Sequence, residues 1–234
     1  PDFDELESLY NDRCKIMWIN YPNMPTSKVA DKTTLKKLVM WAKYRNILLV
    51  NDNPYSLILN DNPVSILSFL NEYDNLIELN SLSKSHNMAG WRVGMLSGSE
   101  ENISNILKVK SNFNSGMYKP VQLAAVKALK LSADWYGQLN KEYKKRRALV
   151  WKILDSLHCT YSLESAGLFV WAKIPKSFAN SIEFADYLLH TTGIFAAPGL
   201  IFGNNGKGYI RFSLCADQDK LNDALNRVKT LKKK

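Results

Sequence analysis

The chain has 234 residues, 46% hydrophobic and 23% charged, an ordinary globular composition that excludes disorder over most of its length. No apolar run approaches the ~18 residues that a bilayer span needs. The acidic start Pro1-Asp2-Phe3-Asp4-Glu5 does not read as a signal peptide. Cys14, Cys159 and Cys215 are too scattered for a disulfide framework or a zinc module, so a reducing, cytoplasmic setting is expected.

The net charge of +9 gathers in Lys141–Arg147 and in the tail Lys229–Lys234, both read as solvated helix faces. No nucleic-acid-binding motif accompanies them, so neither nucleic acid nor membrane is an expected partner.

In chain order, Lys15–Asn20 reads as a short buried strand running into the turn Tyr21–Ser27. Asp31 is placed to cap an amphipathic helix carrying Leu35, Leu38, Val39 and Ala42 on one stripe. Asn46–Val50 is apolar enough for a parallel strand covered on both faces, and Leu76–Leu79 repeats the pattern after a helical stretch at Ser65–Leu70. This β–α–β alternation predicts an α/β fold with a mostly parallel sheet.

Beyond residue ~100 the pattern changes. A helix opened by Pro120 covers Val121–Leu129, and Asp134–Leu157 reads as one long helix. Strands at Leu168–Ile174 and Tyr209–Leu214 then alternate with helices at Ser181–His190 and Gln218–Lys232. The expected division is a large α/β domain at 1–157, ending in the linking helix 134–157, and a small α+β domain at 158–234. Met88 and Met95 read as core filler, and Trp91 as a packing residue.

Polar residues cluster just after the two apolar strands, where ligands bind in open α/β sheets. Asn51-Asp52-Asn53-Pro54-Tyr55 follows Val50, and Asn80-Ser81-Leu82-Ser83-Lys84 follows Leu79, leading into Gly90-Trp91-Arg92-Val93-Gly94. Taken singly, Asp52 is an ordinary turn residue and Lys84 an ordinary surface lysine. Together they supply what pyridoxal phosphate requires: a lysine to attach to, an anion for the pyridine nitrogen, a phenol, and a hydroxyl with a guanidinium for the phosphate.

These segments resemble the class I and II aminotransferases of the fold-type-I pyridoxal-phosphate-dependent superfamily. Asn20-Tyr21-Pro22-Asn23-Met24-Pro25-Thr26 is similar to the family's Pro-Thr turn, and Asp52-Asn53-Pro54-Tyr55 to its Asp-x-x-Tyr. Ser81–Lys84 through Gly94 resembles its lysine and phosphate-arginine signature. Pro198–Gly203 resembles its small-domain loop, and Tyr209–Ser213 the strand of its carboxylate-binding arginine.

The resemblance implies a transaminase that moves an amino group between an amino acid and a 2-oxo acid, working as a homodimer. Lys84 is then the catalytic lysine and general base; Asp52 holds the pyridine nitrogen protonated; Tyr55 donates to the cofactor's phenolic oxygen. Ser81 and Arg92 take its phosphate, and Arg211 takes the substrate α-carboxylate in a two-point contact. A lyase or synthase of the same fold, and a non-catalytic aminotransferase-like fragment or effector domain, are the alternative readings.

Two departures from the family pattern stand out. Met24 occupies the position where the family commonly has asparagine, and a thioether cannot donate the hydrogen bond made there; Asn23 is the candidate to take over. The family's segments upstream of the Pro-Thr turn, including its glycine-rich phosphate turn, have no counterpart in this sequence. It reads as the C-terminal portion of an aminotransferase.

Overall fold

The three apolar runs become neighbouring parallel strands in the computed structural model, which describes residues 1–231. β1 (Ile16–Ile19), β2 (Leu48–Asp52) and β3 (Leu76–Ser81) lie in that order, with Ile19 opposite Asn51 and Asp52 opposite Leu79. A strand not expected from the sequence, β4 (Gly94–Gly98), runs antiparallel to β3 and pairs Gly94 with Ser81. All three parallel strands therefore end at the same edge of one sheet.

Two short helices and three longer ones accompany this sheet in the first unit. α1 (Phe3–Leu9) is capped by Asp2. α2 (Lys32–Tyr44) starts where the Asp31 carboxylate accepts the Thr34 N–H at 2.6 Å, and its expected stripe Leu35, Leu38, Val39 and Ala42 is buried. That stripe shares a core with Ile19, Leu49 and Leu76 of the sheet, with Ile47 just before β2, and with Ile66 and Phe69 of a 3-10 turn at 66–69. α3 (Leu82–Ser85) follows β3 directly; α4 (Glu100–Phe113) and α5 (Lys119–Leu129) come after β4. Ala125 of α5 joins Leu82, Met88 and Val93 in a small cluster beneath α3.

The second unit contains α6 (Ala133–Ser156), β5 (Thr160–Tyr161), β6 (Phe169–Lys173), α7 (Ser181–Thr192), β7 (Ala197–Pro198), β8 (Tyr209–Ser213) and α8 (Gln218–Lys229). Its strands form an antiparallel sheet in the order β5-β6-β8-β7. Val150, Ile153 and Leu154 of α6 pack with Leu221, Leu225 and Val228 of α8 and with Val170, Ile210 and Phe212 of the sheet.

Several expectations are corrected. The long helix, expected to close the first domain at 157, buries its apolar residues in the second unit, which takes in everything from Leu131 onward. That unit also recruits Pro22–Val29 and Tyr55–Asp61, so the chain passes back and forth between the two instead of crossing once. β1 is not a buried strand: Ile16 and Trp18 are 60% and 62% exposed, because β1 lies at the sheet edge among the described residues. Met88 is buried as expected, but Met95 and Trp91 are exposed.

The last expected helix ends at Lys229, and Lys232–Lys234 of the basic tail lie outside the described residues. Among the described residues, no helix is long and apolar enough to cross a membrane.

Candidate active site

Asp52 is the last residue of β2, and Ser81 the last of its parallel neighbour β3. Asn20, just past β1, donates its amide to the Asp52 carbonyl oxygen at 2.5 Å, tying the first two strand ends together. Asn80 does the same between the next two, donating to the Asn53 carbonyl oxygen at 3.1 Å. The half-buried Asp52 carboxylate has no hydrogen-bond or ion-pair partner among the described residues, and burial raises its pKa above the ordinary carboxylate value.

The Ser81 hydroxyl accepts the Ser83 N–H at 3.1 Å and so caps α3, the single helical turn that carries Lys84. It also points its proton at the Val93 carbonyl oxygen, 3.4 Å away. Lys84 is half-buried and has no acidic partner among the described residues. The antiparallel pairing of Ser81 with Gly94 returns the chain to the same strand end, and Arg92 lies two residues before that pair. Arg92 is exposed, has a left-handed backbone (φ 54°) and donates to the Ala89 carbonyl oxygen at 3.0 Å. Asp52, Ser81, Lys84 and Arg92 therefore gather at one edge of the first unit's sheet.

His86 does not join them as a charged group. It is buried with Nδ1 2.8 Å from the Ser85 hydroxyl, and burial lowers its pKa, opposed by the Ala128 backbone.

The other three candidates belong to the second unit. Tyr55 is buried edge-on against Phe169, with Gly167 beside its ring. Arg211, central in β8, lies over Phe169 at 4.1 Å and Phe202 at 4.5 Å, measured from the guanidinium carbon to each ring centre. Its Nη1 donates to the Met24 sulfur at 3.1 Å, and no carboxylate pairs with it among the described residues. Burial pushes the guanidinium's pKa down, while Tyr55 and Cys215 act in the opposite direction. Asn23 holds the turn: its side-chain oxygen accepts from the Thr26 hydroxyl at 2.6 Å and from the Thr26 N–H at 3.3 Å.

Some supporting residues escaped the sequence reading. Buried Glu78 accepts from the Ile66 N–H at 3.1 Å and from the Asn51 amide at 3.4 Å, while Asn51 accepts the Tyr21 N–H at 3.1 Å. The alternation of Asn51 and Asn53 around Asp52 is the signal that could have found this brace. The Asn53 side-chain oxygen is buried without a partner among the described residues. Of the two rings over Arg211, Phe169 carries no motif of its own, and Phe202 lies within the Pro198–Gly203 loop without having been singled out. No group of three or more His, Cys, Asp or Glu among the described residues could hold a metal ion.

The sequence model of the aminotransferases of class I and II matches residues 1–228. The chain belongs to this family. Among its relatives are the LL-diaminopimelate aminotransferases of Maridesulfovibrio salexigens (38% identical over 99% of this chain and 60% of that protein) and Natranaerobius thermophilus (40% identical, 96% and 59%). Similar solved structures include BacF from Bacillus subtilis (33% identical, TM-score 0.90, covering 98% of this chain and 62% of that one) and an aminotransferase from Staphylococcus aureus (32% identical, TM-score 0.88, 98% and 61%). This aminotransferase chain thus spans about three fifths of the length of the relatives it matches. The α/β fold with its mixed sheet is that of the family's solved members.

Proposed function

We propose that this chain serves a pyridoxal-phosphate-dependent transaminase that moves an amino group between an amino acid and a 2-oxo acid. The observation that carries the reading is the gathering of Asp52, Ser81 and Lys84 at the ends of two adjacent parallel strands. A half-buried carboxylate without a cation is costly unless a positive group comes to it, and a protonated pyridine nitrogen is such a group. The residues present therefore fit the cofactor.

Pyridoxal phosphate, when bound, supplies an electron-withdrawing ring that makes the substrate's Cα–H bond acidic. Asp52 keeps the proton on the ring nitrogen, which sustains that withdrawal. Lys84 would be the residue to which the cofactor attaches, and its amine the base that accepts the substrate's Cα proton. Tyr55 donates to the ring's phenolic oxygen, and Ser81 and Arg92 hold the phosphate. Asn23 remains the candidate for the amide contact that Met24 cannot make. Arg211, without a carboxylate of its own, binds the substrate's α-carboxylate in two-point fashion.

LL-diaminopimelate is the first substrate to assay, since the relatives named above carry it in their names. A homodimer in the cytoplasm completes the reading. Borohydride reduction of the full-length protein after incubation with pyridoxal phosphate, followed by peptide mapping, tests it. Label at Lys84 is expected; label confined to another lysine, such as Lys28 or Lys110, would overturn the assignment.

A further inference from the structure

We propose that Met24 is a positioning residue for Arg211: its thioether anchors one end of the guanidinium and leaves the opposite edge for a carboxylate. The proposal rests on the carboxylate-binding role given to Arg211 above.

The two aromatic rings and the sulfur restrain different motions of the same group. Phe169 and Phe202, at 4.1 and 4.5 Å, fix the plane of the guanidinium. Stacking alone leaves it able to rotate within that plane. The Met24 sulfur, 3.1 Å from Nη1, stops this rotation. Nε and Nη2 have no partner among the described residues and form the edge whose two parallel N–H bonds match a carboxylate.

The sulfur is delivered by the fold and does not depend on a flexible side chain finding its partner. Ser27 donates its hydroxyl to the Phe169 carbonyl oxygen at 2.8 Å, and the Ala166 N–H donates to the Ser27 carbonyl oxygen at 3.0 Å. Within the turn, the Asn23 N–H reaches the Lys28 carbonyl oxygen and the Ser27 N–H reaches that of Asn23, both at 2.8 Å. The turn is thereby stapled to β6, and β6 pairs Trp171 with Arg211 on β8. Met24 itself is 41% exposed, so core packing does not account for it.

The chemistry of a thioether suits the task. It accepts a hydrogen bond weakly and carries no charge. A carboxylate at this position would neutralise Arg211 and compete with the ligand. Sulfur holds Nη1 and leaves the positive charge uncompensated.

Calorimetric titration of the full-length protein with 2-oxoglutarate tests the proposal in wild type, Met24→Leu, Met24→Gln and Arg211→Lys. Met24→Leu should weaken binding about 3- to 10-fold, the scale of one modest hydrogen bond. Met24→Gln, whose side-chain oxygen accepts from Nη1, should return affinity to within about twofold of wild type, a rescue that loss of packing would not produce. In ¹⁵N-arginine spectra the Arg211 Nε–H signal should broaden in the leucine variant and sharpen again with glutamine. Unchanged affinity in Met24→Leu, or no rescue by Met24→Gln, while Arg211→Lys loses tenfold or more, would overturn the role of Met24 alone. Unchanged affinity in Arg211→Lys would remove the carboxylate role of Arg211 itself.

Discussion

The backbones of Gly199 and Gly206 pass each other with no room for a side chain on either. A Cβ on one would collide with the carbonyl oxygen of the other, and a Cβ on Gly199 would also meet the Tyr209 carbonyl oxygen at 2.7 Å and the Trp171 ring at 2.8 Å. The constraint is one of space, since neither residue has a positive φ. It fixes the 3-10 turn Gly199–Phe202, and with it the Phe202 ring that lies over Arg211 and edge-on to Trp171.

Gly199→Ala should therefore act on stability and on ligand binding together. Overpacking of this kind costs about 1–3 kcal/mol, which lowers the melting temperature by roughly 2–10 °C in a protein of this size. Displacing Phe202 should also weaken 2-oxo acid binding. Differential scanning fluorimetry and ligand titration measure the two effects. A melting temperature unchanged in Gly199→Ala would show that the crossing relaxes without cost.

The cysteines should separate cleanly by reactivity. Burial pushes the Cys159 thiol up to about 12, while Cys215 is exposed. At pH 8 the thiolate fraction of Cys159 is then about a thousandfold below that of an ordinary cysteine. Ellman's reagent should modify Cys215 within minutes and Cys159 only after denaturant is added. Rapid labelling of Cys159 in the native protein, located by mass spectrometry, would contradict its burial.

The parallel strands were legible because both-face burial leaves an apolar signature at Ile47–Val50 and Leu76–Leu79, and Asp52 and Lys84 could be placed at their ends from chain order alone. β4 was not legible. Its Gly-Met-Leu-Ser-Gly has no β-branched residue, and both glycines sit where a Cβ would strike β3, at 2.9 Å from the Asn80 carbonyl oxygen and 2.7 Å from that of Leu76. α4 escaped for a related reason: it buries none of its residues among those described, so its stripe had no clear core to point to. The interleaved units were hidden because Pro22–Val29 and Tyr55–Asp61 are assigned by long-range contacts, such as the Gly167 N–H donating to the Ile58 carbonyl oxygen at 2.7 Å. The Met24 departure was visible in the sequence, but its contact with Arg211, 187 positions away, was not.

Asp52 should make the protein without cofactor less stable as pH rises. Burial raises its pKa, so the folded state holds the proton more tightly than the unfolded state does. Below the ordinary carboxylate pKa of about 3.9 the carboxyl is neutral in both states; its penalty develops as pH rises from there through the raised value and stays constant above it. Asp52→Asn should therefore match wild type near that lower limit and melt about 1–2 °C higher at pH 7. Added pyridoxal phosphate should reverse the order by stabilising wild type alone. A variant less stable than wild type at pH 7 without cofactor would show that the carboxylate is not penalised.

Ser81 offers a test of how the turn bearing Lys84 is held. Its hydroxyl caps α3 through the Ser83 N–H at 3.1 Å and faces the Val93 carbonyl oxygen at 3.4 Å, so it closes the loop that leads to Arg92. Ser81→Ala removes both contacts without adding bulk. Loss of a helix cap costs about 1 kcal/mol, and a helix of four residues has no other turn over which to spread the loss. The effect should therefore be local. In hydrogen exchange, amides of residues 82–93 should open about fivefold faster, the equivalent of that energy, while Leu49, Val50 and Ile77 in the sheet stay protected. Ser81→Thr keeps an oxygen in place and should restore slow exchange. If alanine leaves exchange across 82–93 unchanged, the turn is held by the Leu82, Met88, Val93 and Ala125 cluster alone, and the serine is free for ligand from the outset.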